Sequence, residues 1–265
     1  MSDSIAITSG KGGVGKTTVS VNLSIAFQKL QNKVLLLDTD LGMANSHVLL
    51  GVNPTNNLSS VINGNKKISE VVVKTDYEIE LVSGGSATSD LLNLENKKRF
   101  RVLNEIDDYL KNYEKVKLIV DVAAGAEDNA VIFANACGRI VVIIVGEPTS
   151  FVDSYSLIKT IYQKSSFKNF CILVNQVENS KIGKDLFKRF EIITSKFLDV
   201  KLHYVGSLND SKKVKNSIIN RKPIIITAPD SDISFSFKKI ANEILKTPQN
   251  EWGGLSFSLG KKKRA

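Results

Sequence analysis

Short, nearly unbroken runs of valine, isoleucine and leucine recur along the chain, separated by longer mixed stretches. The runs are Ser4–Thr8, Val34–Asp38, Ile79–Val82, Leu118–Asp121, Ile140–Val145, Phe170–Asn175 and Lys201–Val205. Apolar and polar residues hardly alternate within them, the pattern of strands buried on both faces. The intervening stretches space their apolar residues at helical intervals. They predict helices over Thr17–Leu30, Asn96–Tyr113, Ala130–Ala136, Ser150–Lys164, Ile182–Phe197, Lys212–Asn220 and Ile233–Leu245. Strand and helix alternate, so the predicted fold class is α/β. It is a mostly parallel sheet flanked by helices on both faces, with right-handed crossovers. No internal repeat and no linker of distinct composition divides the chain. The simplest division is one domain over 1–248 and an appended basic tail over 249–265.

The first predicted strand runs into Ser9-Gly10-Lys11-Gly12-Gly13-Val14-Gly15-Lys16-Thr17-Thr18. Gly10 to Thr17 fits the G-x-x-x-x-G-K-[ST] phosphate loop, and it lies between a strand and a helix with amphipathic spacing, as such a loop should. A triphosphate is a dense anion and needs many donors at close range. Gly12, Gly13 and Gly15 let backbone N–H groups turn toward it, and the helix that follows offers its free N-terminal N–H groups. Lys16 is the expected ligand of the β- and γ-phosphates and Thr17 the expected Mg²⁺ ligand. The fold is therefore that of a P-loop NTPase, with Gly10 to Thr18 as the binding segment. Lys11 is not required by an ordinary phosphate loop. Its spacing alone fits a solvated lysine as well as a phosphate ligand.

Mg²⁺ and an attacking water need carboxylates at the carboxyl ends of parallel strands, where open α/β sheets bind ligands. Val34-Leu35-Leu36-Leu37-Asp38-Thr39-Asp40 ends one run with two aspartates, and Leu118-Ile119-Val120-Asp121 ends another with one. A hydrophobic strand closed by aspartate is the Walker B pattern, so Asp121 is assigned to the Mg²⁺ sphere. Asp40 is the candidate for positioning water. Asp38 is left with two roles, holding the loop or contacting the Mg²⁺ shell. Aspartates also end strands because they start turns.

Composition narrows the picture a little. A hydrophobic content of 42% supports a core and excludes a disordered chain. Cys137 and Cys171 have no metal-ligand spacing and sit beside apolar runs, so they are expected as buried small residues in a reducing cytoplasm. The amino terminus has no signal-peptide pattern, and no apolar stretch reaches transmembrane length. The net charge of +9 permits contact with nucleic acid or an anionic membrane, but the lysines are widely spread. Only Lys261-Lys262-Lys263-Arg264 is a dense cluster.

Lys11-Gly12-Gly13-Val14-Gly15-Lys16-Thr17-Thr18 resembles the deviant Walker A box of the MinD/ParA ATPases. There the first lysine reaches the nucleotide of the other subunit, so the resemblance implies ATP as ligand, an ATP-dependent homodimer, and Lys11 acting in trans. Asp38-Thr39-Asp40-Leu41-Gly42-Met43-Ala44-Asn45 resembles the family's switch I, with Asp40 at the catalytic carboxylate. Asp121-Val122-Ala123-Ala124-Gly125 resembles switch II, where Val122 replaces the usual Ser or Thr. Asn175 falls where the family sets an asparagine against adenine. Asn209 and Ser211 replace the usual proline and aspartate beside the base, so contacts there do not carry over.

Gly146-Glu147-Pro148-Thr149-Ser150-Phe151-Val152-Asp153-Ser154-Tyr155-Ser156-Leu157-Ile158-Lys159 resembles the FlhG branch of that family, which regulates flagellar number and placement. Part of this block is strand-to-helix punctuation, with Pro148 ending the strand and Ser150 or Thr149 capping a helix. The resemblance implies flagellar partners, an FlhF-like GTPase or basal-body components. The branch's extra amino-terminal segment, which stimulates the GTPase, is not expected here. It also implies a membrane-binding tail. Trp252, Leu255 and Leu259 could face one side of an interfacial helix next to the basic cluster, although Gly253, Gly254 and Gly260 each disfavour helix by about 1 kcal/mol. The expected location is the cytoplasm, at the inner face of the membrane if the tail binds it. Two other readings stay open: a partitioning ATPase of the ParA kind binding DNA non-specifically, and a nucleotide-binding scaffold with little turnover. No sequence-specific nucleic-acid binding is expected. A redox ATPase is rejected because Cys137 lies too far beyond Gly125.

Overall fold

A computed structural model describes residues 3–40, 44–85 and 96–250. The order is β1 (Asp3–Thr8), α1 (Lys16–Lys29), β2 (Val34–Asp38), α2 (Ser46–Leu49), α3 (Leu58–Ile62), α4 (Ile68–Val71), β3 (Val73–Lys74), β4 (Glu80–Val82), α5 (Asn96–Leu110), β5 (Lys117–Asp121), α6 (Asp128–Asn135), β6 (Arg139–Ile144), α7 (Pro148–Ser165), β7 (Asn169–Val177), α8 (Ser180–Ser195), β8 (Lys201–Asn209), α9 (Lys212–Ile219), α10 (Ile224–Thr227) and α11 (Asp232–Lys246). The strands form one sheet in the order β3-β4-β2-β5-β1-β6-β7-β8. Every pairing is parallel except β3 with β4.

The unbroken apolar runs are explained by two cores, one on each face. Ile5, Ile7, Leu36, Ile119 and Val141 join one cluster with α1, α10 and α11. Their neighbours Ala6, Leu35, Leu37, Val120 and Val142 join the other with α3, α5, α6, α7 and α8. Period-2 alternation of side chains fills both faces with apolar residues through the middle of these strands, and polar residues collect toward their ends, as at Asp3, Asp38 and Asp121.

Three features differ from the pattern-based expectation. First, α1 is not amphipathic: every residue from Val19 to Phe27 is buried, because α10 and α11 cover the side turned away from the sheet. Its polar residues bond internally instead. Asn22 Nδ2 donates to the Thr18 carbonyl at 2.8 Å, and Asn22 Oδ1 accepts from Ile225 N at 3.1 Å. Second, β8 extends to Asn209, because an edge strand tolerates the polar His203, Ser207 and Asn209 that hide it in sequence. Third, the short α2, α3, α4 and α10 and the two-residue β3 carry too few residues for any period to register.

Both cysteines are buried and free, as expected. At the amino end of the sheet, Asp3 accepts from Lys117 Nζ at 2.7 Å, Arg139 Nη1 at 2.6 Å and Gln249 Nε2 at 2.9 Å. Arg139 also donates to the carbonyls of Thr247 and Leu245, at 3.0 and 3.2 Å. Asn250 is buried and bonds Gly138 O and both backbone groups of Asn169. Gln249 and Asn250, the first residues assigned to the tail, are thus bonded into the domain. Residues 251–265, including Trp252, Leu255, Leu259 and the basic cluster, lie outside the described residues, as do Leu41, Gly42 and Met43.

Candidate active site

The carboxyl ends of β1, β5 and β2 lie side by side, with Ile7 opposite Asp121 and Asp121 opposite Asp38. The phosphate loop leaves β1 at this point. Buried Ser9 shapes its start: the Ser9 hydroxyl donates to Lys11 O at 2.7 Å, and Gly125 N donates to Ser9 O at 2.9 Å. Gly15 forms the N-cap of α1 with φ 91°, a left-handed conformation that a side chain would strain. No side chain caps α1, so its first N–H groups are available to a ligand. Gly10 has a different reason to be glycine. A Cβ there would lie 2.1 Å from the Asp153 carbonyl carbon, so α7 and the loop are in backbone contact.

Asp38 and Asp121 face each other beneath this loop, both buried. Asp38 accepts from Asp40 N and Ser46 N, each at 3.1 Å. Burial, then the facing Asp121 carboxylate, pushes Asp38 up to about 7. Burial pushes Asp121 up as well, against hydrogen bonds from Thr17 and Ser20 and the Lys16 ammonium, while the Asp40 carboxylate adds to the upward push. The Ser20 hydroxyl lies 3.0 Å from Asp121 Oδ1, and the Ser46 hydroxyl 3.4 Å from Oδ2. Thr39 ties β2 to β5, donating N–H and hydroxyl to Asp121 O at 2.9 and 3.0 Å. The set is oxygen-rich and acidic, with the Lys16 ammonium beside Asp121. That chemistry suits Mg²⁺, which takes one or two carboxylates plus phosphate oxygens. Among the described residues there is no cluster of three or more His, Cys, Asp or Glu that could hold a metal by itself.

The structure thus brings together Lys16, Thr17, Asp38 and Asp121, with Asp40 half-buried directly after β2. Val14 is buried, with its side chain in the core beside α1. Val122 is fully buried in the opposite core. Lys11 turns outward, and its Nζ pairs with Glu147 Oε2 at 2.5 Å, with Thr149 Oγ1 3.4 Å away. Asn175 Nδ2 donates to Val14 O at 2.7 Å, so in this structure the asparagine clamps the phosphate loop. A bulge in β7 between Val174 and Val177, with Gln176 at φ 57°, re-aims Asn175 toward the loop. Asn175, Gln176, Asn209, Asp210 and Ser211 line a cleft of about 100 Å³ beside Gly15 and Thr18. Asp210 is paired with Lys215 at 2.9 Å, and Ser211 caps α9, accepting from Lys213 N at 3.2 Å.

Ser20, Ser46 and Glu147 are site residues that motif reasoning missed. Ser20 carries a signal, one helical turn after Lys16 on α1. Ser46 follows the switch I segment by one residue and Glu147 lies in the Gly146–Lys159 block, but neither pattern says what its side chain meets.

The family described as the CobQ/CobB/MinD/ParA nucleotide binding domain matches residues 5–224. The chain is 35% identical to the antiactivator FleN of Pseudomonas aeruginosa, covering 96% of this chain and 90% of that protein. It is 30% identical to the flagellum site-determining protein YlxH of Helicobacter pylori, covering 89% and 80%. Among solved structures, the septum site-determining protein MinD of Pyrococcus horikoshii, complexed with Mg-ADP, superposes with a TM-score of 0.73 at 22% identity, covering 93% of this chain and 97% of that one.

Proposed function

This chain belongs to the CobQ/CobB/MinD/ParA nucleotide-binding family and is an ATPase of the MinD/ParA type, and from that premise we propose that it is a dimerising switch. ATP binding assembles two copies; hydrolysis separates them. The reading rests on one observation above all: two buried carboxylates, Asp38 and Asp121, face each other under a phosphate loop that also carries Lys11.

The roles follow from the chemistry of the donors. Backbone N–H groups from Gly12 to Thr18 and the uncapped start of α1 hold the phosphates. Lys16 pairs with the β- and γ-phosphates. Thr17 and Asp121 hold Mg²⁺, with Asp38 behind them fixing the start of switch I through Asp40 N and Ser46 N. Bound Mg²⁺ supplies charge neutralisation at the phosphate oxygens. Asp40 orients the attacking water by accepting its hydrogen bond. Lys11 leaves Glu147 to reach the nucleotide of a second copy. Asn175 sets the loop's height and lies beside the cleft that takes the base.

Kinship with FleN and YlxH supports a role in flagellar number or placement, with flagellar assembly factors as partners. No helix of the described residues is long and apolar enough to cross a membrane, so membrane contact would be peripheral, through the tail. Sedimentation with ADP and with ATP tests the switch. Wild type should dimerise only with ATP, Lys11→Ala should bind ATP yet stay monomeric, and Asp40→Ala should bind ATP, lose turnover and stay dimeric. An Asp40→Ala protein that hydrolyses ATP at the normal rate sinks the water-positioning role; an ATP-bound Lys11→Ala dimer sinks the role in trans. Deleting the residues after Asn250, which keeps the bonds of Gln249 and Asn250 to the domain, should abolish liposome binding; unchanged binding removes the tail from the proposal.

A further inference from the structure

The sheet has two ends. On one side it is finished by the two-residue β3; on the other it stops at β8, nine residues long. Each strand has hydrogen-bonding groups on both edges, and among the described residues β8 uses only the edge facing β7. A long open edge is a ready template for another strand, and proteins usually block one with a cover or with charge. Here α8 and α11 stand on either side of the edge and leave a groove of about 760 Å³ along Tyr204, Val205, Gly206 and Ser207.

The walls of that groove are basic. Lys181, Lys184 and Lys188 project from α8 and Lys239 from α11, against Asp185 and Glu243. Among the described residues none of the four lysines has an ion-pair partner, whereas Glu243 is already paired with Lys246. Unpaired positive charge around an open strand edge discourages a second copy, whose own lysines would be brought against it. It equally discourages the chain's tail, which carries Lys261-Lys262-Lys263-Arg264. The same charge attracts an acidic segment.

We propose that the β8 edge is a docking site for an acidic peptide of a partner protein, bound in extended form as an added strand. Backbone hydrogen bonds along Tyr204–Ser207 supply the register, and the four lysines select the charge. The groove lies along Tyr204–Ser207 and stops short of the cleft that Asn209, Asp210 and Ser211 line beside the phosphate loop.

The test uses the full chain and a fluorescein-labelled peptide of alternating glutamate and valine, about eight residues long, a common strand length. Fluorescence anisotropy should show binding that weakens with added salt. An alternating lysine and valine peptide should not bind. Methylating alternate backbone amides of the acidic peptide keeps its charge but removes its strand hydrogen bonds, and should abolish binding. The exposed pair Lys184→Glu and Lys239→Glu should weaken binding by about tenfold or more, a loss readily resolved in Kd, with the ATPase rate unchanged. Hydrogen exchange at the β8 amides should slow in the complex. No binding up to about 1 mM, the weak end of specific association, overturns the proposal. Equal binding of the methylated peptide overturns it too, since the surface would then be a charged patch without strand addition. A dimer joined through β8, seen by sedimentation without nucleotide, would assign the edge to a second copy instead.

Discussion

Lys11 and Glu147 stand 136 residues apart in sequence and meet at the site's surface. Their side chains are 40% and 60% exposed, so water screens the pair and its worth is about 0.2–1 kcal/mol. Each copy in the dimer gives up one such pair, so Glu147→Gln should lower the Kd of ATP-dependent dimerisation by no more than about thirtyfold, as measured by sedimentation. A larger change would mean that Glu147 does more than hold the lysine. Asp38 offers a pH test. Its folded value, about 7, lies above its ordinary 3.8, so the folded chain binds this proton more tightly than the unfolded chain. The resulting stability is full below 3.8 and is lost as pH rises toward 7. Without nucleotide or metal, raising the pH from 4 to 8 should destabilise wild type relative to Asp38→Asn by roughly a few kcal/mol, on top of the fixed cost of an amide that can accept from only one of Asp40 N and Ser46 N. Calorimetry at both pH values checks the sign. For Asn175, the bond to Val14 O predicts that Asn175→Ala weakens ATP and GTP binding alike, by about fivefold for one lost hydrogen bond. Loss confined to ATP would point to a direct contact with adenine. Lys16, Thr17 and Asp121 were legible in sequence because each belongs to a short contiguous pattern. The contacts of Glu147 with Lys11 and of the Ser46 hydroxyl with Asp121 were not, because each joins segments far apart in the chain and leaves no local pattern.

At the scale of elements, the strands were legible because burial on both faces removes polar residues from them, while α1 shows how the same burial hides amphipathicity. Its Ser20, Asn22 and Ser24 are polar and lie on two sides of the helix, yet all are buried. The phosphate loop and α7 are a second case. Gly10 and Gly12 look equivalent in the motif, but only Gly10 abuts the backbone of Asp153 and Ser154, whereas nothing lies within 4 Å of a Cβ at Gly12. Gly10→Ala should push α7 off the loop and cost about 1–3 kcal/mol or more. Gly12→Ala should stay within about 0.5 kcal/mol of wild type in urea denaturation. Equal losses would refute the close approach of α7. This contact joins the segment resembling FlhG to the loop that holds phosphate, so a partner touching α7 touches the nucleotide site through one layer of backbone.

For the whole molecule, the nucleotide face and the chain's last described residues lie at opposite ends of the sheet. Arg139 is 8% exposed and binds Asp3, Leu245 O and Thr247 O together. Arg139→Met leaves Asp3 with Lys117 but frees the end of α11; breaking a buried pair of this kind costs about 3–5 kcal/mol. Urea denaturation should show that loss, and amides from Leu245 to Asn250 should exchange faster. Exchange unchanged there would mean that α11 holds its own end. Asp3 begins β1, and the phosphate loop begins where β1 ends. Residues 245–250 bond to the starts of three neighbouring strands, β1 through Asp3, β6 through Gly138 and Arg139, and β7 through Asn169, so a pull on the chain beyond residue 250 is shared among them. Such an anchorage spreads the load across the sheet and leaves no strand to carry it alone.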